Sequence, residues 1–112
     1  ITYFGNVVRV RPKNINGWLE LLKCLYKAEM LEEALEYAGF AFEQTDGKPI
    51  FLFYKSAVLY AMGKSKEALL NLEAGMNRNP KLVKKFIAIN PSILQVQQVV
   101  DIIARYKKRN SL

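Results

Sequence analysis

The sequence predicts an all-α fold, a row of stacked helix pairs, and three observations carry that prediction. The segment Glu33-Ala34-Leu35 recurs as Glu67-Ala68-Leu69, a spacing of 34 residues, and the same shift lays Leu25 on Leu59, Tyr26 on Tyr60, Cys24 on Val58, Ala41 on Gly75 and Trp18 on Leu52. A fixed period of that length marks an array of supersecondary units, none of which buries its apolar face alone. Within each unit apolar residues return every three or four positions, as on a helix with one buried face. Between helices stand Gly and Pro, notably Pro12, Gly63 and Pro80, residues that stop helices or supply left-handed backbone.

Taken in order, residues 1–14 shift onto the period as Tyr3 on Tyr37, Gly5 on Gly39 and Val7 on Ala41, with Pro12 two periods before Pro80. They read as the second helix of a preceding, truncated unit that Pro12 ends, which makes the chain the C-terminal piece of a longer array. An irregular basic extension is the alternative. Asn14 or Asn16 can cap a helix over about 16–28, with Trp18, Leu21, Leu22, Leu25 and Ala28 on its inner face. A turn at Glu29–Leu31 leads to a helix at about 31–45. Its inner stripe is Ala34, Leu35, Ala38, Ala41 and Phe42, and Glu32, Glu33, Glu36 and Glu43 lie on its solvated side. Thr45-Asp46-Gly47-Lys48-Pro49 is a turn by composition.

The second unit opens at Pro49, suited to a first helical turn. Its first helix runs to about Met62, where Gly63 ends it. A helix at about 65–78 turns Ala68, Leu69, Leu72 and Met76 inward and stops at Asn79-Pro80. Phe86 falls one period after Leu52, so 81–89 begins as a third unit, which Asn90-Pro91-Ser92 interrupts. Ser92 is the expected N-cap of a last helix at about 92–108, with Ile93, Val96, Val99, Val100, Ile103 and Tyr106 on its apolar face. Its other face is polar, as the end of a repeat array requires.

At 112 residues and 51% hydrophobic composition, the chain suits one packed domain. No apolar run reaches the roughly 18 to 20 residues that span a bilayer. Ile1-Thr2-Tyr3-Phe4 lacks the features of a signal peptide, which points to the cytoplasm, although the chain begins without Met and an earlier start is expected. A single Cys excludes an internal disulfide, and the absence of His removes the commonest general base and metal ligand together. The net charge of +7 sits at the ends: residues 15–48 hold seven acids against three lysines, whereas 81–112 hold seven bases against Asp101.

Little here could carry catalysis. Ser56, Ser65 and Ser92 have no activating base nearby in sequence, and Cys24, flanked by Leu21, Leu22 and Leu25, reads as a small packing residue. Glu29, Glu32, Glu33 and Glu36 read as a solvated face rather than a metal site, and the six glycines are scattered singly, with no phosphate loop. No enzyme activity, cofactor or metal is expected.

The Trp18-x-x-Leu21 opening, the small Ala34 and Ala68, and Pro80 closing the second unit resemble the tetratricopeptide repeat family. The resemblance covers about residues 1–90 and implies a short right-handed superhelical solenoid of helix-turn-helix repeats. Residues 1–14 would be the second helix of a truncated repeat, 15–48 and 49–82 two repeats, and 83–112 a degenerate repeat start with a C-terminal capping helix. There are departures: Leu22 stands where the family has a small residue (Ser56 fits better), Ala38 and Leu72 replace an aromatic, and Lys55 falls opposite Leu21.

In that family the first helices line a concave groove where peptides bind. On matching positions the groove would show Asn16, Leu19, Lys23, Tyr26 and Lys27 from one unit and Ile50, Phe53, Ala57, Tyr60 and Ala61 from the next. Such a wall suits an extended or helical segment bearing apolar and acidic side chains; packing of Tyr26 and Tyr60 between neighbouring first helices is the alternative. Some family members clamp a terminal carboxylate with Lys, Asn and Arg, but the Asn of that clamp is not at the matching site, so that specificity is not expected. The resemblance thus implies a non-catalytic protein–protein interaction module or scaffold, partnered by another protein or a neighbouring domain of its parent chain.

The alternative is an adaptor that binds nucleic acid or an anionic membrane surface through Lys81, Lys84, Lys85, Arg105, Lys107, Lys108 and Arg109. Nucleic acid is not the expected partner, because Phe86 and Tyr106, the nearby aromatics, belong to apolar faces and offer no stacking platform. Self-association through Ile1, Phe4, Val7 and Val8 is a further expectation for a truncated N-terminal face.

Overall fold

The computed structural model describes residues 13–110, with side chains through residue 108. Among these residues the chain is all-helical: α1 (Ile15–Lys27), α2 (Leu31–Gln44), α3 (Ile50–Ala61), α4 (Ser65–Arg78), α5 (Val83–Ile89) and α6 (Gln97–Asn110). Short 3-10 turns at Pro80–Leu82 and Pro91–Gln95 precede the last two helices. None of the described helices is long and apolar enough to cross a membrane. The expected helix at 1–11 and the apolar residues Ile1, Phe4, Val7 and Val8 lie outside the described residues.

Local chemistry sets most of the helix ends. Asn14 Oδ1 accepts from the Gly17 N–H at 3.1 Å and starts α1. At its end the Glu29 N–H reaches the Tyr26 carbonyl (3.1 Å) and the Met30 N–H reaches Leu25 (2.9 Å). This paired closure satisfies two carbonyls that a helix end leaves free, and it needs one residue in the left-handed region. The same two bonds recur 34 residues on, from Gly63 to Tyr60 (3.0 Å) and from Lys64 to Leu59 (2.8 Å). Gly63 takes the left-handed position at φ 80°, where Glu29 takes it at φ 59°.

Packing is organised around α3. Helix α2 lies against α1 and α3, α4 lies against α3 and α6, and α5 closes on α3 from the far side. One core joins Trp18, Leu21, Leu22 and Leu25 of α1 to Ala34, Ala38 and Ala41 of α2 and to Phe51 and Val58 of α3. A second joins Phe53 and Ala57 of α3 to Leu72 and Met76 of α4, Phe86 of α5, Ile93, and Val99, Ile102 and Tyr106 of α6. Serving both cores, α3 is buried at every position from Ile50 to Leu59 except the half-buried Lys55, as expected of a helix apolar on nearly all sides. Each large side chain so buried contributes about 1.5 to 3 kcal/mol relative to exposure.

Small residues sit where helices meet. Ala34 and Ala68 are both fully buried, and the Ser56 hydroxyl donates to the Ala68 carbonyl at 2.7 Å, joining α3 directly to α4. At Gly75 an added Cβ would stand 3.0 Å from the Phe53 ring, so the ring occupies space that only glycine leaves.

The last helix departs from expectation. Ser92 does not cap it: Asn90 Oδ1 accepts from both the Ser92 N–H (3.2 Å) and the Ser92 hydroxyl (2.6 Å), capping the 3-10 turn instead. Val96 is then extended, and α6 begins only at Gln97. The later start turns Ile102, absent from the expected stripe, into the core, and leaves Val100 and Ile103 half-buried. The Tyr106 hydroxyl donates to Asn77 Oδ1 at 2.8 Å and ties α6 to α4.

Candidate functional site

A cleft of about 470 Å³ opens among α1, α3 and α5. Helix α1 gives it Leu19, Lys23, Tyr26 and Lys27, α3 gives Ile50 and Tyr54, and α5 gives Lys85, Ala88 and Ile89. On each helix these residues recur at three- and four-residue spacings, so they share one face. On α1 Trp18, Leu21, Leu22 and Leu25 enter the core, and Leu19 and Tyr26, half-buried at its edge, border the cleft.

The floor is apolar and aromatic, and three lysines stand over it. No acid lines the cleft, yet one lies beside it: Lys23 Nζ is 3.3 Å from Glu20 Oε1, one helical turn back. Lys27 and Lys85 are exposed and have no acidic partner among the described residues. Burial pushes the Tyr54 phenol up to about 12, and the negative charge of Glu20 adds to the effect. Tyr54 therefore stays a neutral, mainly apolar part of the floor at neutral pH. Burial also raises Tyr60, whose hydroxyl is buried without a hydrogen-bond partner among the described residues.

The ten positions carried over from the family pattern are divided by the fold. Leu19, Lys23, Tyr26, Lys27 and Ile50 come together in the cleft. Phe53 and Ala57 do not: α5 closes over this face of α3, and Phe86 packs on Phe53 at a ring separation of 5.8 Å. At 0% and 1% exposure they belong to the core and offer no surface to a ligand. Tyr60 packs partly against the second core, while Asn16 and Ala61 are exposed outside the cleft. Tyr54, Lys85, Ala88 and Ile89 were missed. Tyr54 was within reach of the sequence, since it lies one helical turn after Ile50 on the same face. The three α5 residues lie downstream of every position carried over from the family pattern.

The Ser56 and Ser92 hydroxyls bond to Ala68 and Asn90, and Cys24 is half-buried. Among the described residues no three His, Cys, Asp or Glu side chains gather as a metal site. Of the basic residues near the C-terminus, Arg105 pairs with Glu73 at 3.5 Å, and the neighbouring aromatics Phe86 and Tyr106 are buried. No protein-family model matches the chain, and no curated protein or solved structure was found similar to it.

Proposed function

We propose that this chain is a non-catalytic interaction module of tetratricopeptide type, which holds a segment of a partner protein in the cleft among α1, α3 and α5. Support for the repeat reading comes from the paired helix closures 34 residues apart and from the buried Ala34 and Ala68 one period apart. Support for binding rests on one observation, an open apolar cleft bordered by lysines and walled by α1, α3 and α5. A segment that buries one or two apolar side chains there removes surface from water at about 25 cal/mol per Å². The packed helices change little on binding, so the ordering cost falls mainly on the partner.

The test is to pan a random peptide display library against the full chain and against an Ala88→Trp variant. Ala88 is exposed and lines the cleft, so the indole fills the binding space without entering the core. Enrichment on the wild type that disappears on a folded Ala88→Trp supports the proposal. Equal enrichment on both, or none on either, contradicts it.

A further inference from the structure

The three lysines over the cleft are not equivalent. Lys23 is held by Glu20 at 3.3 Å, and that carboxylate lies close enough to Tyr54 to act on its phenol, so it stands beside the cleft wall. Around Lys23 the positive charge is therefore largely cancelled. Lys27 and Lys85 are different: both are exposed and free of acidic partners among the described residues, and they stand on separate helices, α1 and α5, over one apolar floor.

We infer that Lys27 and Lys85 are the specificity-determining pair of the cleft, reading carboxylates on a partner segment whose apolar side chain is buried between them, while Lys23 already has Glu20 as its partner. This deepens the proposed function and rests on it. An anchor entering between α1 and α5 brings its flanking residues toward Lys27 on one side and Lys85 on the other. An Asp or Glu beside the anchor meets unneutralised charge there, whereas Lys or Arg meets repulsion. Charges in this position add orientation and on-rate more than affinity, and they discriminate by penalising the wrong sign. The apolar floor selects the anchor, and the pair selects the company it keeps.

The experiment is to pan the same peptide library at low salt against four folded forms of the chain: wild type, Lys27→Glu, Lys85→Glu, and Lys66→Glu, which makes the same change in net charge at an exposed position of α4 outside the cleft. Wild type is expected to enrich peptides with Asp or Glu beside an aromatic or aliphatic residue. On Lys27→Glu or Lys85→Glu that acidic preference disappears or inverts, and an enriched acidic peptide binds about tenfold more weakly. On Lys66→Glu the preference stays as in wild type. Loss of it there, or its survival on either of the two cleft variants, overturns the inference. If cleft filling by Ala88→Trp still abolishes enrichment in that case, binding in the cleft stands and only the charge assignment falls. If Ala88→Trp leaves enrichment intact, both fall.

Discussion

The α1–α2 and α3–α4 hairpins share a 34-residue register and end their first helices with the same backbone bonds, yet matching positions face different surroundings. Leu19 and Lys23 line an open cleft, whereas Phe53 and Ala57, one period later, are buried. Glu20 stays near the surface beside Lys23, and its counterpart Tyr54 is 5% exposed. What differs is the neighbour. Helix α5 lies on α3 and brings Phe86 against Phe53, while the matching face of α1 is left as a cleft wall. Register decides which residues share a face, and the next element decides whether that face becomes core or binding surface.

The largest expected effect separates Leu19 from Phe53. Phe53→Ala should destabilise the chain by about 3 to 5 kcal/mol in chemical denaturation, because a fully buried ring leaves a cavity. Leu19→Ala, at the cleft wall, should cost about 1 kcal/mol or less, since the side chain is only partly removed from water. Similar costs at the two sites would erase the distinction between the hairpins.

Next is the contrast of Glu20 with Tyr54. The Tyr54 phenol is raised from 10.0 to about 12 in the folded chain, so the unfolded chain loses its proton first. Tyr54 should add stability that is fully present below pH 10 and is lost between about pH 10 and 12, on the order of 2 kcal/mol. Denaturation midpoints measured across that range should fall, and the Tyr54→Phe variant should fall less steeply.

A comparable effect is expected at Gly75, which lies one period after Ala41. Gly75→Ala should cost about 1 to 3 kcal/mol by pressing a methyl group on the Phe53 ring, despite the gain in helix propensity. The smallest concerns the matched turns. Gly63→Ala should destabilise by about 1 kcal/mol, and Glu29→Gly should stabilise by up to about 1 kcal/mol, because both positions are left-handed and only one holds glycine. Thermal midpoints moving in the same direction for both variants would contradict the shared turn geometry.

Most of the helix punctuation was legible in the sequence because it is local. Asn14, Gly63 and the Asn79-Pro80 pair act within one turn of themselves, and the inward residues of α1 follow from helical spacing alone. The left-handed Glu29 was hidden, since nothing in its side chain marks it; only its partner Gly63 did. The burial of Phe53 and Ala57 depends on α5, some thirty residues downstream, and a face carried over by analogy does not register a helix that covers it. A signal was nonetheless present: Ile50-Phe51-Leu52-Phe53-Tyr54 is apolar all round, and such a helix belongs inside. Ile102 was missed for a local reason, the capping of a 3-10 turn by Asn90, which delays α6 and rotates its buried stripe.

Helix α5 turns the Phe53 and Ala57 face of α3 into core, while the matching Leu19 and Lys23 face of α1 stays open. Thiol labelling at two positions one period apart tests it most directly. In a Cys24→Val background, which installs the residue type found at Val58, single Lys23→Cys and Ala57→Cys variants are labelled with an aromatic disulfide under native conditions. Labelling should be rapid at position 23, close to that of the denatured chain, and slower at position 57 by on the order of a hundredfold or more, governed by opening of the structure. Comparable native rates at the two positions would contradict it.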